Sequence, residues 1–349
     1  MKKFHYITAC LAAAAVSAGC AKTAEEATNA STKMYLDAWT GANYPSATVS
    51  SKGLYILEDQ VVGSGDQWNS DNGFAKVLFT ETDMEGKIYD TTDEDLAKIA
   101  GLYSNNVTFG PRIWLISEGS YGVYAGLEDA LNGMRVGGTR KVLVPSWLMT
   151  YKRYSSDKDY YSKQSSATNT IYTISLLDQC SNVYDWEVED VEAFVEEHMH
   201  GVDSTYYGGD ESGLKYGFYY DRVSVPEKWA DYEMPSDTVV YINYTGRLLS
   251  GKVFDTTIAQ TAKEHGIYSQ SKDYSPVQIN IKEDYNNITM TASESSLITG
   301  FKAALKMMHP YEHGNAAFIS TLGYGYSGSG SSIRPFTPIS FEITLVDKP

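Results

Sequence analysis

Residues 239–257 read VVYINYTGRLLSGKVFDTT, and this stretch decides the fold of the second half of the chain. Its first part alternates like a half-buried strand, with Ile242 and Tyr244 on the same face. A Ser-Gly pair ending at Gly251 predicts a tight hairpin turn, because glycine adopts a positive φ without steric cost. The hairpin ends in a Phe-Asp pair at Asp255, and such a carboxylate is costly to bury without a hydrogen bond. Taken alone, these residues favour a plain antiparallel hairpin with a polar end.

Three further motifs follow the hairpin in the same order along the chain. Residues 297–301 read LITGF and open a predicted helix, residues 323–326 read GYGY, and residues 339–345 read ISFEITL. This order resembles the FKBP-type peptidyl-prolyl cis-trans isomerases, whose motifs are Tyr-Thr-Gly, Asp-Gly, Phe-Asp, Val-Ile-x-Gly-Trp, Ala-Tyr-Gly and a closing Phe-x-Val-x-Leu strand. The resemblance covers residues 213–349. It implies an α+β domain in which a twisted antiparallel sheet wraps around a short helix.

The hairpin motif occurs a second time in the first half of the chain. Residues 84–92 read MEGKIYDTT and closely repeat the sequence at 249–257. A repeat of this length indicates two domains rather than a solenoid. The sequence therefore predicts a second FKBP-like domain at residues 53–180, followed by a helical linker at 181–212. In the linker, apolar residues at helical spacing predict a helix over residues 185–198.

The resemblance also assigns a pocket in the second domain. Rotating an X–Pro bond crosses a barrier of roughly 18–20 kcal/mol that amide resonance sets. A dry aromatic pocket favours the twisted, less conjugated amide, so the reaction requires no nucleophile, metal or cofactor. The resemblance implies catalytic roles for Asp255, Tyr324 and Phe301, and substrate contacts for Tyr244, Phe254, Val277, Leu297, Ile298, Ile333 and Phe341.

Each of these residues has a distinct implied role. Phe301 forms the floor under the proline ring, where the family usually has Trp, and Ile333 lies on a flap above it. The backbone N–H of Ile298 and the hydroxyl of Tyr324 hold peptide carbonyls, and Asp255 is the polar group near the twisting carbonyl. The implied ligands are proline-containing polypeptides and macrolide inhibitors.

The first domain departs from the family motifs at the corresponding positions. Glu81 replaces the glycine of Tyr-Thr-Gly, and Tyr89 replaces the phenylalanine of Phe-Asp. Leu127 replaces the aromatic floor, and Thr150 stands where the carbonyl-binding tyrosine is expected. The sequence therefore predicts a degenerate domain, weakly active, inactive or used for binding.

The start of the chain resembles an export signal. A short basic start, Met1–Lys3, precedes an Ala-rich apolar run at 4–18, and a lipobox-like sequence with Ser17 at the usual Leu position ends at Cys20. We expect a lipoprotein signal peptide at 1–20, with Cys20 lipidated, and a tether at 21–52 that can include a short helix over residues 33–39. A secretory signal cleaved after a small residue is the alternative. We therefore expect the protein to be anchored in the bacterial cell envelope, in the outer membrane, facing either the periplasm or the cell surface.

Bulk composition limits the class of protein. The chain has 349 residues, 42% of them hydrophobic, which is typical of globular domains. A net charge of −16 without a basic patch argues against nucleic acid as a partner. His309 and His313 have metal-ligand spacing, but Pro310 interrupts the helix that this spacing needs, so no metal site is predicted.

Two other functions fit parts of the sequence. A polypeptide-binding chaperone could keep the FKBP fold without catalysis, because a fold does not guarantee a function. The 28 tyrosines also fit a surface glycan-binding lipoprotein, although tyrosine is common in ordinary strands. The aromatic lining of the second domain favours isomerisation over both.

Overall fold

The computed structural model describes residues 28–202, 216–292 and 297–349, which form two antiparallel sheets with a few short helices. The first sheet consists of β1 (Thr48–Val49), β2 (Tyr55–Val61), β3 (Phe74–Thr82), β4 (Ile88–Thr91), β5 (Arg112–Leu115), β6 (Thr139–Val144) and β7 (Thr170–Cys180). The second consists of β8 (Phe218–Ser224), β9 (Thr238–Leu248), β10 (Val253–Thr256), β11 (Val277–Ile281), β12 (Thr289–Met290), β13 (His313–Phe318) and β14 (Ile339–Val346). The chain therefore has the α+β architecture expected from its motifs.

Seven α-helices accompany the sheets within the described ranges. They are α1 (Ala30–Asn43), α2 (Glu94–Ile99), α3 (Ala125–Leu131), α4 (Asp157–Ser162), α5 (Val183–His198), α6 (Ala259–Glu264) and α7 (Thr299–Met307). Each of these helices falls short of the length and apolarity that crossing a bilayer requires.

The two sheets share the order of their core strands. This order is β2-β6-β7-β3 in the first sheet and β8-β13-β14-β9 in the second. Two further strands pair with the last of these in each sheet, β4 and β5 with β3, and β10 and β11 with β9. The remaining strands, β1 and β12, pair with β2 and β11 and have no counterpart among the described strands of the other sheet. Local hydrogen bonds repeat as well: Phe79 N–H donates to Thr92 Oγ1, and Tyr244 N–H donates to Thr257 Oγ1, both at 2.9 Å. The repeated sequence thus builds the same backbone frame twice.

A glycine in each central helix lets it approach the sheet closely. A Cβ on Gly126 in α3 would lie 2.4 Å from a methyl of Val144, and a Cβ on Gly300 in α7 would lie 2.6 Å from the ring of Phe318. Protein interiors have no room for such contacts. The close approach places the next residue of α7, Phe301, under the sheet.

Replacing Gly300 with alanine should therefore destabilise the second domain. We expect Gly300→Ala to lower the free energy of unfolding by about 1–2 kcal/mol, because overpacking outweighs the gain in helix propensity. Gly41 in α1 has open space around it, so Gly41→Ala should raise stability by about 0.5–1 kcal/mol. Urea denaturation of both variants checks the opposite signs, and equal effects would contradict this packing.

Helix α5 connects the domains and packs on the second sheet. The predicted helix is present, and its apolar face, with Val191 and Val195, contacts Tyr219 and Ile319. Glu187 on the same helix is only 1% exposed. Its carboxylate accepts hydrogen bonds from Ser320 N–H at 2.5 Å and Ser320 Oγ at 2.8 Å. Burial outweighs these bonds and raises the pKa of Glu187 to about 7.

The raised pKa of Glu187 predicts a pH dependence of folding. The native state binds this proton more tightly than the unfolded state, so stability should fall as pH rises from about 4.5 to about 7. Glu187→Gln should remove this part of the dependence in urea denaturation. Glu196→Gln, at an exposed position of the same helix, should leave the pH profile unchanged. Identical profiles for wild type and Glu187→Gln would refute the assignment.

The amino-terminal boundary of the first domain lies earlier than predicted. Helix α1 begins at Ala30, its Leu36 is fully buried in the first core, and β1 pairs with β2. The short helix predicted within the tether at 21–52 is present as α1, and because its buried side packs on the first core, this part of the chain belongs to the first domain. Cys20, the signal peptide at 1–20 and the linker residues 203–212 lie outside the described residues.

Candidate active site

An aromatic cavity of about 270 Å³ opens in the second domain between β9, β10, β11 and the start of α7. Its lining is formed by Ile242, Tyr244, Phe254, Asp255, Val277, Ile279, Met290, Leu297, Ile298, Phe301, Tyr324 and Phe341. Among these lining residues Asp255 is the one charged side chain. A cavity of this kind suits a small apolar group that carries one polar attachment.

The rings of this cavity pack edge to face. Phe301 lies 4.9 Å from Phe341 and 5.6 Å from Tyr244 between ring centroids, and Phe254 lies 5.6 Å from Phe341. Gly246 makes this arrangement possible, because a Cβ there would lie 2.6 Å from Phe254 and 2.8 Å from Phe341. The three phenylalanine rings close around the cavity because Gly246 has no side chain.

Asp255 is held in place by two side chains and by the backbone N–H of Thr256, which donates to Oδ1 at 3.0 Å. The Tyr244 hydroxyl donates to Oδ2 at 2.6 Å, and the Lys272 ammonium pairs with Oδ1. Burial, together with the charge of Asp255, raises the pKa of Tyr244 well above its ordinary value and raises that of Tyr324. Both phenols therefore stay protonated at neutral pH, and that of Tyr244 donates to Asp255.

Nine of the ten residues named from the resemblance line this cavity. Ile333 does not. It is 3% exposed, packs in the core of the second domain and pairs through its backbone with Ser329. The predicted flap position for Ile333 therefore needs correction, because its side chain points into the core.

Sequence reasoning missed four residues at or beside the cavity. Ile242 and Ile279 face it from β9 and β11, and for Ile242 the strand alternation with Tyr244 was a usable signal. Met290 and Lys272 lie in two polar segments, residues 283–295 and 257–275, that are insertions relative to the compact family pattern. No motif marks them, since their positions depend on how each insertion folds back on the sheet.

The histidines with metal-ligand spacing lie elsewhere. His309 Nδ1 is 2.6 Å from the Tyr232 carbonyl oxygen, and His313 Nδ1 is 3.3 Å from Thr344 Oγ1. Within the described ranges there is no cluster of three or more His, Cys, Asp or Glu residues placed to hold a metal ion.

The comparison with known families bears on this half of the chain. Residues 231–346 match the FKBP-type peptidyl-prolyl cis-trans isomerase family. The match contains the whole aromatic cavity and confirms the resemblance drawn from the motifs. No curated protein matches the chain.

Several solved structures resemble the chain. FkpA from Escherichia coli is 20% identical over 44% of this chain and 61% of its own length, with a TM-score of 0.30. The three FKBP domains of wheat FKBP73 are 15% identical over 84% of this chain and 94% of theirs, with a TM-score of 0.27. A peptidyl-prolyl cis-trans isomerase from Pseudomonas syringae pv. tomato is 22% identical over 47% of this chain and 93% of its own length, with a TM-score of 0.29. The chain spans less than two thirds of FkpA.

The first domain has a cavity of about 340 Å³ at the equivalent place, with a different lining. Glu81, Asp90 and Arg112 line it, and Arg112 stands where Val277 lines the FKBP-type cavity. The guanidinium of Arg112 binds Asp90 through both Nη atoms, at 2.5 and 2.8 Å. Leu127 replaces the Phe301 ring. This cavity is therefore charged where the other is apolar.

Glu81 prevents the aromatic closure seen in the second domain. It occupies the strand position of Gly246, as the pairing of Glu81 with Asp90 and of Gly246 with Asp255 shows. Tyr89, equivalent to Phe254, is turned outward and 53% exposed. Burial raises the pKa of Glu81. A side chain at this position thus leaves no room for a ring.

The first domain also holds the segment that follows Tyr324. Thr108 Oγ1 donates to the Ser332 carbonyl at 2.6 Å, and Ser332 Oγ donates to the Asn106 carbonyl at 2.9 Å. The rings of Tyr121 and Tyr326 lie 4.5 Å apart. The loop at one edge of the FKBP-type cavity therefore rests on the other domain.

Removing one of these bonds should loosen the loop. We expect Thr108→Val to speed amide exchange at Ser329, Ile333 and Phe336 about fivefold, because a hydrogen bond contributes about 1 kcal/mol. Thr139→Val removes a 2.8 Å bond to Ser175 within the first domain and should leave these amides unchanged. Hydrogen exchange with mass spectrometry measures both. Equal exchange in Thr108→Val and wild type would show that the loop holds its own position.

Proposed function

We propose that this protein catalyses prolyl cis-trans isomerisation in polypeptides and that the second domain carries the activity. One observation supports this most: the cavity of that domain is ringed by aromatic side chains and has Asp255 as its single charged lining group. Proline-containing segments are the substrates. Macrolide inhibitors are a second ligand class for the same cavity.

The geometry supports a mechanism without covalent chemistry. The proline ring enters between Tyr244, Phe301 and Phe341 and displaces water from this apolar part of the cavity. In this dry site the twisted amide, which has lost its conjugation, is favoured over the planar one. The hydroxyl of Tyr324 donates to a substrate carbonyl, as does the N–H of Ile298, which lies just before α7 where backbone donors lack intrahelical partners.

Asp255 and its two side-chain partners supply the polar side of the site. Because Tyr244 and Lys272 fix the carboxylate, it is already oriented when the substrate arrives. Its negative charge lies beside the amide whose carbonyl turns during isomerisation. Lys272 acts through Asp255 and is a positioning residue.

The first domain contributes little to catalysis in this proposal. Its cavity lacks the floor ring, and Arg112 and Glu81 stand where an apolar wall is needed. A proline ring would desolvate these charges without replacing their hydrogen bonds.

Isomerisation kinetics with a proline-containing tetrapeptide test whether the second domain carries the activity. Asp255→Ala should lower kcat/KM at least tenfold, as should Phe301→Leu, which installs the residue of the first domain. Asp90→Ala, the matched change in the first domain, should retain kcat/KM within about twofold. Protease-free NMR exchange on the full chain gives the rates. Equal losses from Asp90→Ala and Asp255→Ala would refute the assignment.

We propose further that the clients are exported polypeptides and that the protein is anchored in the bacterial envelope by lipid on Cys20. The support is the amino-terminal sequence, with its apolar run and small residues before Cys20. Expression with labelled palmitate should label the wild type and not Cys20→Ser. Equal labelling of the wild type and Cys20→Ser would refute lipid attachment at Cys20.

A further inference from the structure

Two cavities meet at the junction of the domains, apart from the FKBP-type site. One is the 340 Å³ cavity of the first domain, and the other, of about 510 Å³, runs along α5. They share five residues, two of them arginines: Arg112, Ile113, Arg334, Pro335 and Phe336. Arg112 comes from the first domain and Arg334 from the second, so the site is complete only when both domains are present.

Arg112 has unused hydrogen-bonding capacity at this junction. Its side chain is 15% exposed and lies over the ring of Phe79, 4.8 Å from the centroid. Asp90 occupies the two Nη atoms. The Nε atom is buried and has no hydrogen-bond partner among the residues that the structure describes. Buried donors are almost always paired, so an unpaired Nε beside a cavity indicates a missing acceptor.

Arg334 adds a second cation to the junction. Its Nε donates to the Thr108 carbonyl over 3.4 Å, and no carboxylate in the described ranges forms an ion pair with it. Burial lowers the pKa of Arg334, the nearby charge of Arg112 lowers it further, and the charge of Asp90 opposes this shift in part. A further anion beside Arg334 would relieve the remaining repulsion between the two guanidiniums.

The walls around the arginines fit a polypeptide. Trp114, Tyr121, Tyr124 and Tyr151 line the first cavity, and such rings suit apolar and aromatic side chains. The second cavity continues past the arginines along α5, so the two together accommodate an extended segment rather than one small molecule.

We propose that the domain junction binds an extended acidic polypeptide segment whose carboxylate is held between Arg112 Nε and the Arg334 guanidinium. This is a binding function of the degenerate domain, separate from isomerisation. Arginine suits the role because its planar fork forms paired bonds with a carboxylate. The net charge of −16 does not prevent it, since charges farther than about 8 Å are largely screened at physiological salt.

Calorimetry on the full chain at 0.15 M salt tests the proposal. Three proline-free peptides serve as probes: acetyl-Ala-Phe-Glu-Ala-Tyr-amide, its Gln analogue, and the Gln analogue with a free terminal carboxylate. We expect a carboxylate peptide to bind about tenfold or more tightly than the Gln amide, because charge-assisted hydrogen bonds are the strong ones. The preferred carboxylate peptide tells a side-chain source from a chain-end source. Equal affinity of all three, or no binding of any, would overturn the proposal.

Variants locate the site. Arg334→Gln should weaken binding of the carboxylate peptide about tenfold, and so should the double change Arg112→Gln with Asp90→Asn, which leaves no carboxylate unpaired. Arg135→Gln, at an exposed arginine of the first domain, is the matched control and should bind as wild type does. Thermal unfolding checks that each variant folds. A folded Arg334→Gln variant with wild-type affinity would contradict the site. Because the probes lack proline, failure here is distinguishable from failure of the isomerase proposal.

Discussion

The absence of a side chain at Gly246 is the constraint on which the FKBP-type cavity depends. Phe254 and Phe341 approach this point of β9 so closely that a single Cβ would collide with both rings. Because Gly246 leaves this space empty, these rings meet Phe301 and line a cavity of about 270 Å³. The aromatic side chains of the domain can form this cavity only because residue 246 is a glycine and has no side chain.

The first domain shows what happens on the same frame when that position is filled. The order of its core strands and its threonine hydrogen bonds repeat those of the second domain, so the backbone is not the source of the difference. Glu81 fills the space, Tyr89 turns outward, and Arg112 pairs with Asp90. One duplicated fold thereby holds an apolar cavity in one copy and a charged cavity in the other, as expected when function resides in sites rather than in folds.

The sequence predicted the fold and most of the cavity because both rest on local motifs in a fixed order. It failed where position depends on tertiary packing. Lys272 reaches Asp255 from an insertion without any motif, and Ile333 turns into the core. A short helix was expected near α1, but its weak apolar face did not show that it packs on the first domain. The meeting of Arg334 with Arg112 joins residues more than 200 positions apart, which no local pattern encodes.

A proline ring should bind in the aromatic cavity of the second domain in preference to the charged cavity of the first. Amide NMR of the full-length protein, titrated with a succinyl-Ala-Leu-Pro-Phe anilide, tests it most directly. We expect saturable shifts at Ile298, Gly300 and Tyr324, with the equivalent amides of Tyr124, Gly126 and Thr150 unmoved. Shifts of equal size and midpoint in both sets, or shifts confined to the first domain, would contradict it.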